Sequence, residues 1–428
     1  MRDIIVTLLI FGSLPFILRR PYIGVLAWAW ISYMNPHRLT WGFAYDFPFA
    51  QLVAIVLFAS LLFSKESKKL PMDGVMGVWI AFLLWMTITT IFAIYEDRAF
   101  VYYIRVVKVQ LLTLITIVVM TDQKRIDLLI WTICLSIGFY SVKGGIFTLA
   151  TAGSYRVWGP GGSWIFENNA MALATLLVIP LMIYLHNINT DRWIRLGLKA
   201  AVLLSFFSAL GSQSRGALVA TIAVAAYYWW QTKSKFVTGA AIFVLAVTAF
   251  NFMPASWHER MGTIDNYEED SSANSRLDAW RYSAAVASQR LTGGGFNSFS
   301  KATYAYYYKP VPKAYVSHSI YFSVIAAHGW PGFIMFMTII ALTWRNLSSL
   351  AKQTRNSPED ARYFQLAKML KVSLIAYLSG GAFLSLAYFD LPWHIVAIAF
   401  LSTHQYKNRR SESTPKKVVP DFTTKYPT

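Results

Sequence analysis

Apolar runs separated by short polar clusters recur along the chain, near residues 4–18, 22–35, 49–64, 74–95, 106–121, 128–151, 170–187, 200–213, 216–230, 236–253, 319–344, 372–388 and 391–404. Gly74 to Tyr95, Phe236 to Trp257 and Ser319 to Trp344 contain no Asp, Glu, Lys or Arg. Each is long enough to cross the hydrocarbon layer as a helix, which takes about 20 residues. The pattern predicts an all-α polytopic membrane protein, a bundle of about 12 transmembrane helices. The first two runs are short for a full crossing and fit tilted helices or a shallow hairpin. The opening stretch lacks a small-residue cleavage pattern and is expected to be retained.

The polar gaps between runs fall into two alternating kinds. "KESKK" (65–69), "DQKR" (122–125), "DRWIRLGLK" (191–199), "QTKSK" (231–235) and the stretch 345–371 are rich in Lys and Arg. The positive-inside rule assigns these gaps to the cytoplasm. Gaps such as "YRVWGPGGSWIFENN", "GSQSRG" and the long piece 254–317 carry aromatic residues, Gly and Pro instead, and so face outward. The expected organisation is N-terminal transmembrane helices over 1–253, a large periplasmic loop region with short helices over 254–317, C-terminal transmembrane helices over 318–406, and a cytoplasmic tail over 407–428, disordered past Ser411. One short helix is expected over Ser275 to Gln289, ended by the breaker "TGGGF".

Composition supports a membrane solvent. Charged residues make up 14% and hydrophobic residues 56%, against roughly a quarter charged in soluble domains. The net charge of +18 belongs to the cytoplasmic loops rather than to a nucleic-acid surface. The single cysteine, Cys134, allows no intrachain disulfide and no cysteine-based metal site.

Few residues on the outward side carry chemistry. Arg215 is the only charged side chain between Ala200 and Thr232; it either faces a cavity or partner, or snorkels to headgroups. His318 heads an uncharged run, where it serves as a base or hydrogen-bonding group at the surface, or merely satisfies a backbone group. His328, ten residues deeper, reads as packing, and His37, His258 and His394 lack distinctive neighbours. Arg276 and Arg281, five apart, point to different helix faces, so at most one enters a given site, and Asp278 is an ion-pair candidate for either. Arg156, Glu167, Asn168 and Asn169 border an outward cavity or, for the asparagines, cap the next helix. The tyrosines of "TYAYYYKPVPKAY" suit sugar stacking or an interfacial belt. No outward segment has an Asp-x-Asp pair or a metal-ligand spacing, so no metal and no cofactor is expected.

The stretch "HSIYFSVIAAHGWPG" resembles the histidine motif of the O-antigen ligase family, with His318, Ser319, Gly329 and Gly332 at the motif positions. "SQSRGAL" around Arg215 and "SRLDAWRYSAAVASQRLTGGGFNSF" with Arg276, Trp280 and the glycine run are similar to the same superfamily, which joins O-antigen ligases, O-antigen polymerases and protein O-oligosaccharyltransferases. "RRPYIGVLAWAWISYMNPHRLTWGFAYDFPFAQ" also resembles ligase-like proteins of exosortase and exopolysaccharide loci. The resemblance implies a metal-independent, inverting transfer of glycan from undecaprenyl diphosphate, at the periplasmic face of the bacterial inner membrane, to lipid A-core oligosaccharide, a growing glycan or protein. It implies His318 as the group that orients or deprotonates the acceptor, Arg215 and Arg276 as diphosphate clamps, and Arg281, Arg156, Glu167 and Asn168 as helpers. A lipid-linked solute transporter is the alternative of a different class; inverted symmetry and interrupted helices at the midplane would mark it.

Overall fold

The computed structural model describes residues 1–66, 68–262 and 271–413. These form sixteen α-helices and no strand among the described residues. They are α1 Arg2–Arg19, α2 Pro21–Met34, α3 Phe49–Phe63, α4 Gly74–Ile91, α5 Glu96–Val119, α6 Gln123–Ala150, α7 Asn168–Ile188, α8 Arg192–Gly211, α9 Arg215–Gln231, α10 Lys235–Phe252, α11 Ala255–Gly262, α12 Ser271–Gln289, α13 Lys301–Tyr307, α14 Ile320–Thr354, α15 Ala361–Gly381 and α16 Asp390–Ser413.

Seven of these, α4, α5, α6, α7, α8, α10 and α14, are long and apolar enough to cross a membrane, and the chain is a multi-pass membrane protein. The other expected crossings fall on helices that are short, such as α2, α3 and α9, or that carry charges, such as α1 with Arg2, Asp3 and Arg19. The region between α10 and α14 holds the short helices α11, α12 and α13.

Several polar gaps are helical rather than loop. "DRWIRLGLK" lies inside α8, because the Asp191 carboxylate accepts from the backbone N–H groups of Trp193 (2.8 Å) and Ile194 (2.9 Å) and starts the helix there. Likewise α14 runs past its apolar stretch to Thr354, and α16 continues through the basic residues to Ser413. Apolar pattern marks what lipid can surround; hydrogen bonding sets where a helix ends, and the two differ by several turns. The disorder expected past Ser411 does not begin there, since Glu412 and Ser413 continue α16; the tail beyond Ser413 lies outside the described residues.

The bundle has two distinct ends. At the basic end, Arg125 makes a two-pronged pair with Glu66 (2.7 and 2.9 Å). Buried Asp127 there collects Arg362, Gln123 and the Tyr184 hydroxyl. At the other end, the connections α4–α5, α6–α7, α8–α9, α10–α14 and α15–α16 interlock. The Val157 N–H reaches the Gly211 carbonyl (3.1 Å), the Ile94 N–H reaches Gly294 (3.0 Å), and Gly216 packs against Phe383.

One long helix is broken on purpose. Within α14, Gly329 leaves the helical conformation (φ 64, ψ −172) and Pro331 follows. Pro331 has no N–H to give to Ala327, four residues before it, and the turn at Gly329 draws the next donor away from Ala326. The glycine loop after α12 replaces both: the N–H of Gly294 donates to Ala326 (2.7 Å) and that of Gly295 to Ala327 (3.0 Å). So close an approach has no room for side chains. A Cβ on Gly293 would sit 2.6 Å from the Gly329 nitrogen, and one on Gly329 would collide with the Leu291 carbonyl. Arg290 locks the loop further, its guanidinium donating to the carbonyls of Phe92 (2.6 Å) and Gly293 (2.9 Å).

Gly329→Ala combines a left-handed φ with a backbone collision, and is expected to cost about 1–3 kcal/mol. Gly77→Ala, where nothing lies within 4 Å of the added carbon, should leave thermal unfolding in detergent unchanged. Equal melting of the two variants would contradict the braced-break account.

Candidate functional site

The interlocked end encloses a cavity of about 460 Å³. Its lining joins Tyr102 of α5, Trp164 and Glu167 before α7, Phe296 of the glycine loop, His318 before α14 and Tyr388 before α16. Rings pack around the rim: Tyr102 lies 5.8 Å from Trp164 and 5.1 Å from Phe296, and Phe296 lies 5.1 Å from Tyr388. Polar atoms come from Ser163, Asn297, Ser317, Ser323 and Ser385. The wall is thus aromatic with scattered hydroxyls and amides, and two titratable side chains, His318 and Glu167, join the lining tyrosines.

His318 is half-buried and held in the left-handed region at φ 42. A non-glycine residue there is uncommon, though histidine is among those that tolerate it, and such backbone persists only where its surroundings enforce it. Three contacts do so. The Trp280 indole donates to the Ser317 carbonyl at 2.7 Å, and its ring stacks on Phe322 at 4.9 Å and 7°. The Ser317 hydroxyl meets that of Ser323 at 2.7 Å.

Trp280 stands one turn beyond Arg276 on α12, so the contact that fixes the histidine segment also brings the Arg276 side near it. Burial lowers the His318 pKa below the ordinary 6.5; the Arg276 charge lowers it further, and Glu167 opposes both. The imidazole is therefore neutral at neutral pH, with a nitrogen lone pair free to accept a proton.

Arg215 is the first residue of α9, half-buried, in a turn whose Ser214 side chain caps the Ala217 N–H. That turn touches the site through Asn168: its amide donates to the Ser212 carbonyl at 2.8 Å, which ties the start of α7, beside Glu167, to Arg215's turn. Asn168 is consequently not a helix cap; Glu167 holds the cap position, without a side-chain cap bond. Arg156 is exposed and meets the Gln213 amide oxygen at 3.4 Å, in the same turn. Neither Arg215 nor Arg276 is part of the cavity wall itself.

Arg281 goes elsewhere. It is exposed and hydrogen-bonds Tyr308, on the side of α12 that faces α13. Asp278 pairs there with Lys309 at 2.9 Å and accepts from the Tyr308 hydroxyl at 3.1 Å. Of the two arginines, Arg281 is turned toward Tyr308, and Arg276 is the one whose charge acts on the histidine. The tyrosine cluster is chiefly a brace: Tyr304 is fully buried, stacks on Tyr282 at 4.2 Å and donates to the Tyr315 carbonyl, while Tyr306 is exposed. His328 packs inside the bundle, bonded to the Thr89 hydroxyl at 2.6 Å, and His394 to the Tyr33 hydroxyl at 2.6 Å. Among the described residues no group of three His, Cys, Asp or Glu side chains is placed to hold a metal ion.

Sequence reasoning missed Tyr102, Trp164, Phe296 and Tyr388, which look like ordinary apolar residues until distant segments meet. The signals near them are the glycine run just before Phe296 and, for Trp164, its place in the outward gap "YRVWGPGGSWIFENN".

Fold and site together define a multi-pass helical membrane protein with a histidine-bearing cavity at the end opposite its basic loops. Residues 200–337 match the family model described as O-Antigen ligase, which supports assignment to that family. Residues 1–190 match a second model, described as a family of unknown function (DUF5935). A search of curated proteins finds no match to the chain.

Trp280→Phe keeps the stacked ring on Phe322 and removes the indole donor. Backbone amides over 315–319 should then exchange with deuterium faster, while those of α7 stay unchanged; unaltered exchange at 315–319 would show that the indole does not hold this segment.

Proposed function

We propose that this chain is an O-antigen ligase-type glycosyltransferase, moving glycan from undecaprenyl diphosphate to lipid A-core oligosaccharide at the periplasmic face of the bacterial inner membrane. The observation that carries this reading is the meeting of His318, Glu167 and the Arg276 charge around one cavity opposite the basic end, with the family match spanning His318, Arg276 and Arg215. By the positive-inside rule, the cavity end is the periplasmic one.

The acceptor hydroxyl oxygen attacks the anomeric carbon while its proton passes to the His318 imidazole. The bond from that carbon to the phosphate oxygen breaks, and the diphosphate leaves with the electron pair. Arg276 and Arg215 stabilise the charge that develops on it, guanidinium forks matching phosphate oxygens in pairs. Glu167, across the cavity, raises the proton affinity of His318 and holds the acceptor's hydroxyls. Arg156 and Asn168 support the Arg215 turn rather than touch the reacting atoms, and Arg281 acts only through α13. A growing glycan or a protein acceptor would use the same donor chemistry, so the acceptor is what the experiment must read.

Purified protein mixed with lipid-linked glycan and lipid A-core should yield the joined product. His318→Ala should lower turnover by about 100-fold or more, and Arg276→Ala and Arg215→Ala by about 100-fold each. Wild-type turnover in His318→Ala would remove the histidine from the mechanism. Ladder-like chain growth without core would reassign the protein as a polymerase, and glycosylated protein product as a protein transferase.

The acid limb of the pH–rate profile should lie below 6.5, since burial and Arg276 hold the imidazole neutral. In Arg276→Lys the limb should stay low, in residual-activity Arg276→Gln it should move up, and in Glu167→Gln it should move further down. A limb that ignores both charges would mean that His318 is not the titrating group.

A further inference from the structure

The outward stripe of α5 carries cations where lipid should be. Asp97, Val101, Arg105, Lys108 and Leu111 follow one another at intervals of three or four residues and are all exposed, which puts them on one face of the helix. Val101 is 59% and Leu111 44% exposed, so among the described residues no other part of the bundle covers this face. None of the described ion pairs includes Arg105 or Lys108.

Their depth makes this costly. α5 starts at the cavity end with Glu96 and runs to Val119 at the basic end, a length of about 36 Å. Arg105 lies about 14 Å and Lys108 about 18 Å along it from the cavity end, within a hydrocarbon layer about 30 Å thick. Side chains on a helix tilt toward its N-terminus, here the cavity end, so both cations can reach up toward that interface. Two like charges three residues apart repel each other, and each costs free energy in lipid. An anion lying between them would relieve both penalties.

The stripe also adjoins the cavity. Tyr102, one turn before Arg105 on the same helix, lines it. We propose that Arg105 and Lys108 form a membrane-facing binding site for the diphosphate headgroup of a polyprenyl lipid, docked beside the Tyr102 wall before its glycan enters the cavity. The arginine fork takes two phosphate oxygens and the lysine a third, while Leu111, one turn deeper, lies along the prenyl chain. The identity of the lipid rests on the proposed function; the cationic site itself does not.

The test uses full-length protein in nanodiscs and glycan-free undecaprenyl diphosphate, with bound lipid counted by native mass spectrometry. Wild type should retain the lipid, and the double variant Arg105→Gln/Lys108→Gln should bind it about tenfold more weakly. Lys143→Gln, which removes an exposed cation from α6, should bind as wild type does. With glycan-loaded donor, the double variant should raise KM and spare kcat, because neither side chain touches the reacting carbon.

Unchanged retention by the double variant, with thermal unfolding as in wild type, would overturn the proposal. So would equal displacement by phosphatidylglycerol, which would make the stripe a general anionic-lipid surface, or a change of oligomeric state alone, which would make it a contact between copies. Binding is read without acceptor, so a wild type that binds the lipid but transfers nothing would sink only the proposed function.

Discussion

An interrupted helix in a membrane protein leaves carbonyls that no water is there to satisfy, and the rest of this structure follows from how that debt is met. Ala326 and Ala327 receive their hydrogen bonds from Gly294 and Gly295, so the loop after α12 must lie flat against α14. That contact fixes α12 relative to α14, and Trp280 of α12 then reaches Ser317. The left-handed backbone at His318 and the action of the Arg276 charge on it are downstream of two backbone hydrogen bonds accepted eight and nine residues further along, at Ala326 and Ala327. Two of the four motif positions shared with the O-antigen ligase family, Gly329 and Gly332, are thereby explained without chemistry: one turns the chain, and the other lets α14 pass close to Trp85.

The site's electrostatics come from the same packing. Burial disfavours the charged form of His318 most, the Arg276 guanidinium adds to that effect, and the Glu167 carboxylate opposes the two. An imidazole biased toward neutrality can accept a proton from a hydroxyl, the role proposed for His318. The same cation that weakens the histidine's hold on a proton would have its charge offset once a diphosphate docks beside it. Under the proposed function, donor binding and base strength would be coupled, the histidine becoming more basic with the anion in place.

The sequence revealed what depends on one segment at a time. Charge-free runs gave the membrane class, and the alternation of basic gaps separated the two ends. Features that depend on two distant segments stayed hidden. Asn168 reads as a cap because asparagine often is one, yet its amide crosses to Ser212 in another turn. The tyrosines of "TYAYYYKPVPKAY" read as a surface belt or a sugar platform, yet Tyr304 is spent on bracing Tyr282. Helix ends at the basic side were misjudged by several turns because Lys and Arg are good helix formers, and apolar periodicity cannot see them.

The cavity is not the property of the matched span alone. Residues 200–337 bring His318, Phe296 and the arginine turn, but Tyr102, Trp164 and Glu167 come from residues 1–190, and Ser385 and Tyr388 from the turn before α16. The cation and the imidazole lie on one span and the carboxylate that opposes the cation on the other. The titration of His318 is therefore set by the docking of the two parts, through contacts such as Asn168 on Ser212 and Tyr102 on Phe296. A change that loosened this docking would leave every motif residue in place and still alter the chemistry, because the pKa belongs to the assembled cavity and not to the motif.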